Sequence, residues 1–312
     1  MKKTLGLISA ALVTASLLVP AHAAQTTKSI YFNGGPLNSQ TIYRYDPDSL
    51  SMRKVTSGTF ADLSPDGTKL AFVKNDSLHI ADADGKNQVR LTNSYFPNYD
   101  TSPRWSPDGK KIVFAKSDGN LYLVDVASKK VKALTHVTEG VRHAEPDWSP
   151  DGTKIVFHSS DQSGFTHIYS MHADGSNLKQ LTGLGGSETS EYSPHFSPDG
   201  RKILYGSTKA GQSDAYVMNA DGSQPKNITV DNNKAVTSAI WSEDGRKILY
   251  TVNEKEKRQD SYFYMTTLSG DSNKVMRIPI PFATPSAWQS VSESTKADTP
   301  STLQKITDFF LN

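Results

Sequence analysis

Three histidines, His143, His158 and His167, lie close together in the sequence, with Glu145 and Asp161 among them. Imidazole nitrogens with a carboxylate oxygen form a donor set for zinc and related transition metals. His143, His158 and His167 are therefore candidate ligands of a divalent metal, and through it of a metal-dependent lyase or hydrolase. No H-x-x-x-H spacing accompanies them; the alternative is three loop-base histidines paired with backbone and hydroxyl groups. A second group mixes charges: Asp100, Arg104, Arg142, His143, Glu145, Asp147, Glu191, Tyr192 and His195. Gathered around one opening, these would recognise a peptide, a carboxylate or a sugar; otherwise they would line a salt-bridged, water-filled channel. Serine and aspartate abound wherever turns need them, so no Ser-His-Asp constellation stands out. No catalytic residue is assigned, and no cofactor is implied beyond that metal.

What would bring such residues together is a repeat. Trp105-Ser106-Pro107-Asp108-Gly109 returns at 148–152 and, with Phe for Trp, at 196–200. Weaker copies stand at 63–67 and at 241–245, where Glu243 replaces the proline. Ser64, Ser106, Ser149, Ser197 and Ser242 are 42, 43, 48 and 45 residues apart. A period of that size means one supersecondary unit used repeatedly. Serine suits the first place of a type I turn and proline presets φ for the second; glycine takes the left-handed position that closes it. Each turn leads into a strand apolar on both faces, such as Lys111-Ile112-Val113-Phe114-Ala115, which predicts burial on both sides. A third strand follows, then an Ala-Asp-Gly turn, then a short strand ending in Leu-Thr or Ile-Thr at 91–92, 134–135, 181–182 and 228–229. Four strands per unit of about 40–45 residues predict a β-propeller blade.

The fold class is thus all-β: a six-bladed propeller of four-stranded antiparallel blades. The blades fall at 29–56 plus 284–288, then 59–92, 101–135, 144–182, 192–229 and 237–278. The first blade lacks its inner strand, and Thr284-Pro285-Ser286-Ala287-Trp288 imitates Ser102-Pro103-Arg104-Trp105. The end of the chain is therefore expected to pair with its N-terminal strands, closing the ring and removing exposed edges. Ser-Pro-Asp-Gly and Ala-Asp-Gly turns share one face of the disc. The longer, more varied loops (34–40, 159–166, 183–191, 206–214, 254–260) and the links between blades share the other, where propellers carry function. This logic puts His143, His158 and His167 at one end of the fourth blade. The aromatics at 105, 148, 196, 241 and 288 are expected to pack between blades.

Residues 1–23 form a basic start, an apolar run from Leu5 to Val19 and an Ala-His-Ala site. That is the pattern of a cleaved secretory signal peptide, with the periplasm as destination and no membrane-spanning segment after cleavage. Removing Lys2 and Lys3 from 34 basic residues leaves 32 against 32 acidic ones. Zero net charge argues against binding nucleic acid or anionic lipid. There is no cysteine, hence neither disulfide nor lipid-modified N-terminal Cys. The propeller occupies 24–290 and is expected to be a monomer. Residues 291–312 read as a Ser/Thr-rich linker and a short amphipathic helix over Leu303–Leu311, by the spacing of Leu303, Ile306, Phe309 and Phe310.

The repeat text P-x-W-S-P-D-G-x-K-I-V-F, then H-I-Y-x-M-x-A-D-G-S-N, then Q-L-T, all within 146–182, resembles the TolB propeller family of the Tol–Pal system. The resemblance covers about 29–290. It implies a propeller that serves as a protein-binding platform for an envelope protein, peptide or cell-wall saccharide. The α/β domain that precedes the propeller in TolB has no counterpart between 24 and 28, which sets the chain apart from a full Tol–Pal assembly role. Propeller peptidases with this repeat carry an α/β-hydrolase domain, and no G-x-S-x-G elbow is present. Related oligogalacturonate lyases use a late His- and Gln-rich metal cluster, and no histidine follows His195 here.

Overall fold

The computed structural model describes residues 26–35, 40–47, 49, 51–160, 164–184, 188–209, 211–229, 235–253, 261–269, 272–278 and 283–292. The signal-peptide segment, the linker and helix at 293–312, Asp161 and the charged loop 254–260 lie outside the described residues. The strands form six four-stranded antiparallel sheets, each one blade. Five inner strands are Thr59–Leu63, Asp100–Trp105, Arg142–Trp148, Glu191–Phe196 and Ala235–Trp241. The sixth, Thr284–Ser292, heads the sheet whose other strands are Thr26–Gly34, Thr41–Asp46 and Ser51–Ser57. Closure by the two ends is therefore as the repeat implies, and longer than expected. Thr26 pairs with Ser292 and Asn33 with Thr284, across a bulge at Tyr31/Phe32. Among the described residues no helix is long and apolar enough to cross a membrane.

The turn motif has a hydrogen-bonded cause. In the third blade Gly109 N donates to Ser106 O at 2.8 Å and Ser106 N to Lys111 O at 2.8 Å. The Ser106 hydroxyl reaches Asp108 Oδ1 at 2.6 Å and accepts from Lys111 N at 2.9 Å. Gly109 sits at φ 68°, a conformation costly to any residue with a Cβ. The five turns also pack side by side around the ring. A Cβ on Gly152 would lie 3.9 Å from Pro107, one on Gly200 3.4 Å from Pro150, and one on Gly245 3.3 Å from Pro198. Each proline thus backs the glycine of the next blade. The blade after Glu243 is the one closed by the chain ends, which has no such turn, so no glycine there requires a proline at 243.

The Leu-Thr ends are ties. Thr92, Thr135, Thr182 and Thr229 accept at Oγ1 from the backbone N–H of Leu78, Leu121, Ile168 and Ala215, at 2.8–2.9 Å. Each fixes the outer strand to the start of the third. The Ala-Asp-Gly glycines lie on the preceding blade: a Cβ on Gly175 would meet Leu134 O at 2.5 Å. The core is a set of inter-blade clusters. Trp105 packs with Ala71, Leu78 and Leu91 of the blade before it, and Trp148 with Val113, Leu121 and Leu134. The Trp148 and Trp241 indoles donate back to Arg104 O and His195 O at 3.3 and 3.2 Å. Trp105, Trp148, Phe196 and Trp241 are packing residues; the side chain of Trp288 lies outside the described residues.

Candidate functional site

Four inner strands carry a non-glycine residue at positive φ at the same place: Phe60 (56°), Ser102 (49°), Glu145 (49°) and Ser193 (48°). Each sits in a β-bulge, where the pairing slips by one residue. The extra residue bends the strand and re-aims its side chain. The bulge residues and their counterparts Ser238 and Pro285 line one cavity of about 390 Å³ where the inner strands begin. The cavity is the mouth of the axial pore, on the face of the variable loops.

Below the bulges, one residue per inner strand precedes the aromatic: Asp62, Arg104, Asp147, His195, Ile240 and Ala287. The first four alternate in character and interact. Arg104 stands 3.8 Å from both Asp62 and Asp147, and His195 Nδ1 stands 3.8 Å from Asp147. Both aspartates also tie blades together. Asp62 accepts from Trp105 N and Asp147 from Phe196 N, each at 2.8 Å. Burial pushes the Asp62 carboxyl up to about 6, against the opposing pull of Arg104 and the Trp105 N–H. The sides of the pore formed by the last blade and the closing blade are hydroxylic or apolar instead: Thr237, Ser238, Thr284, Ser286.

Glu145 is the acid that faces the mouth. It accepts from Ser193 Oγ at 2.5 Å, and His158 Nδ1 stands 3.3 Å away, at ion-pair distance but outside hydrogen-bond geometry. Burial opposes ionisation of Glu145, but His158 and the Ser193 hydroxyl prevail and hold its carboxyl at about 2. The carboxylate is thus charged, anchored from one side, and open to the cavity on the other.

The residues singled out from sequence divide into three places. Arg104, Glu145 and His195 line the mouth, with Asp147 bonded to them. Asp100 and Glu191 lie in blade seams. Asp100, fully buried, accepts from Thr92 Oγ1, from Ser94 Oγ at 2.7 Å and from Leu78 N at 3.0 Å. Glu191 accepts from Thr189 Oγ1 at 2.7 Å and Thr182 Oγ1 at 3.2 Å, with His167 Nδ1 at 2.8 Å. Tyr192 packs its ring over Gly206 and bonds Ser213, and Arg142 is exposed at the strand's start. The three histidines share one end of the blade, where His143, Ser159 and His167 form a single row. Their side chains part, however: His158 turns to Glu145, His167 to Glu191, and His143 packs against Phe157, with ring centroids 4.7 Å apart and the planes tilted by 52°. Among the described residues no three His, Asp or Glu side chains are grouped to hold a metal. The bulge residues Phe60, Ser102 and Ser193 line the cavity and were not singled out from sequence. Their signal is the position three before the residue that opens each turn motif: Leu63, Trp105 and Phe196.

His143 gives a pH prediction. Burial, then the neighbouring His158, lower its pKa from 6.5 to about 4. The folded state resists protonating it, so the stability it contributes is complete above pH 6.5 and is lost as pH falls towards 4. The loss is about 3 kcal/mol, an order-of-magnitude figure. Replacing it with an aromatic ring that cannot be protonated, His143→Phe, should flatten the fall in urea midpoint between pH 7 and pH 4. An unchanged fall in the variant would remove His143 as its source.

A ring-closed propeller with a polar axial mouth is the class that this fold and site define. The family described as TolB beta propeller domain matches residues 67–279. The chain belongs to that family. It is 38% identical over 160 residues to the Tol-Pal system protein TolB of Bordetella pertussis, covering 50% of this chain and 35% of that protein. It is 30% identical over 190 residues to TolB of Francisella tularensis subsp. mediasiatica, covering 59% and 42%. The chain thus spans well under half the length of these relatives. In structure it resembles one assigned to TolB from Agrobacterium tumefaciens, with TM-score 0.66, 20% identity and coverage of 82% and 91%. An oligogalacturonate lyase from Vibrio parahaemolyticus matches at TM-score 0.57 and 15% identity, covering 82% and 75%. These two likenesses concern the fold alone.

Proposed function

We propose that this chain is a periplasmic, non-catalytic scaffold that binds an envelope protein, a peptide or a saccharide at the mouth of its pore. The observation that carries this is the cavity of about 390 Å³ built by the ring of bulge residues. A concave site on rigid strands, with a few convergent polar groups, is what a binding pocket requires. Positive φ repeated at one position in four blades adds to this, because such strain persists where a site needs it. Membership of the TolB propeller family, and relatives that are Tol-Pal system proteins, support an envelope protein as the first candidate. The pattern of residues 1–23 supports export.

A photo-crosslinking residue at Ser238, with isolated envelope proteins, tests the reading. We expect one dominant adduct, competed by excess unlabelled chain and reduced about tenfold by Glu145→Gln, the scale of one lost charge-assisted contact. The same label at Lys110, on the opposite face, should give none. Equal adducts from Lys110, or an adduct indifferent to Glu145→Gln, would move the binding surface elsewhere. About one equivalent of bound metal, lost in both His143→Ala and His158→Ala, would replace this reading with metal chemistry on the fourth blade.

A further inference from the structure

The passage from the outer strand of the second blade to the inner strand of the third, residues 91–99, contains no charged side chain. Its backbone is pinned on both sides. Phe96 N donates to the Asp76 carboxylate at 3.1 Å, and Asp100 N to Asp76 O at 2.9 Å. Tyr99 N donates to Ser117 Oγ at 3.0 Å, Ser117 N to Tyr99 O at 3.0 Å, and the Ser117 hydroxyl to Pro97 O. Asn98 N closes the tip on Tyr95 O at 2.8 Å. Within this fixed frame Tyr95 is 69% exposed and Phe96 77%. None of the rings of Tyr95, Phe96 and Tyr99 stacks on another aromatic among the described residues.

Large apolar side chains held in water on a pinned loop mark a contact surface. We propose that this loop is a stacking platform for an uncharged saccharide, separate from the pore mouth. The chemistry matches in two respects. A pyranose offers a flat face of C–H groups that packs on an aromatic ring, and a rim of hydroxyls that needs neutral donors and acceptors. Asn93 and Asn98 are exposed, and their amides, like the phenol groups of Tyr95 and Tyr99, make no hydrogen bond among the described residues. Lys116, on the strand beside the loop, is not free to hold an anion, being 3.7 Å from Asp100 and 3.2 Å from Ser94 Oγ. Tyrosine, phenylalanine and asparagine on a preorganised loop lose little side-chain entropy on binding.

The test uses the purified full chain with two uncharged β-1,4-linked probes, chitohexaose and cellohexaose. Saturation-transfer NMR should place the strongest contacts on ring C–H protons of at least one of them, and calorimetry should give a saturable isotherm. Tyr95→Ala and Phe96→Ala should each weaken binding by about tenfold, the upper scale of one lost aromatic contact, with the melting temperature unchanged. Glu145→Gln should leave sugar binding intact, so failure here and failure of the pore-mouth reading are separately visible. No saturable binding to either probe, or equal binding by Phe96→Ala, overturns the proposal. Binding lost in Glu145→Gln but kept in both loop variants overturns it too and moves the sugar to the pore. Pelleting with phosphatidylethanolamine–phosphatidylglycerol vesicles that depends on Phe96, without sugar binding, overturns it in favour of a membrane contact.

Discussion

A chain ended after Ile280 will fail to give a soluble, folded monomer. The deletion removes the strand Thr284–Ser292, which pairs with Thr26–Gly34 along its whole length. It strips the inner edge of the first blade and leaves an unpaired ladder of backbone N–H and C=O groups, the feature that propellers close in order to avoid. It also uncovers core. Ala283 packs with Ile30, Phe32, Ile240 and Phe263, and Ala287 with Tyr31, Ile42 and Phe72, most of them fully buried. Opening a ring exposes a second edge as well, because the last blade loses the neighbour it packs against. The expected result is inclusion bodies or a molten, dye-binding species by circular dichroism and ANS fluorescence. The control is a chain ended after Ser292, which keeps every closing pair, including Thr26 with Ser292. It should stay folded and lose at most a few kcal/mol, since a helix as short as the sequence pattern of Leu303–Leu311 predicts would bury little apolar area. A soluble, cooperatively melting chain ending at Ile280 would show that closure is not what holds the disc.

The repeat was legible because each of its signals has a local cause. Ser-Pro-Asp-Gly closes its own hydrogen bonds, Gly109 needs its left-handed φ, and the Leu-Thr ends supply a hydroxyl tie. Such causes write themselves into adjacent residues, so blade count and ring closure could be read from text alone. The site was legible below the bulges and, in the bulges themselves, at Glu145 alone. Arg104, Asp147 and His195 immediately precede their aromatic, and their inward direction follows from the alternation of a strand. Above the bulge that alternation fails. One extra residue reverses which face every residue further along the strand presents, so counting back from Trp105 or Phe196 puts Asp100 and Glu191 in the pore when they turn into the seams. The bulge itself was hidden by proline. Ser102, Glu145 and Ser193 precede Pro103, Pro146 and Pro194, and a residue before proline reads as extended. Three-dimensional pairing, which no single strand encodes, supplied the rest.

That reversal predicts which variants destabilise and which only impair binding. Asp100 has no exposure, and it gathers Thr92 Oγ1, Ser94 Oγ and Leu78 N from the second blade onto the third, with Lys116 3.7 Å away. Asp100→Ala leaves the buried Thr92 and Ser94 hydroxyls without their acceptor and Leu78 N with only Thr92 Oγ1, and it removes the partner of a half-buried cation. Breaking such a network costs about 3–5 kcal/mol. Glu191→Ala should cost a comparable amount, because it strands His167, Thr182 and Thr189 between the fourth and fifth blades. The equivalent position in the fourth blade is His143, whose Nδ1 has no partner to lose, so His143→Ala should cost only the packing of its ring on Phe157. Glu145→Gln, by contrast, keeps its shape and its contact with Ser193 and loses only a part-exposed attraction to His158, so it should lower the urea midpoint less than Asp100→Ala or Glu191→Ala while impairing the pore mouth. The measurement is urea denaturation of the four variants beside the crosslinking yield at Ser238. Asp100 and Glu191 variants with native midpoints and abolished crosslinking would return these two residues to the binding site. Lowered midpoints, with crosslinking retained in whatever fraction remains folded, would keep them as the bolts between blades.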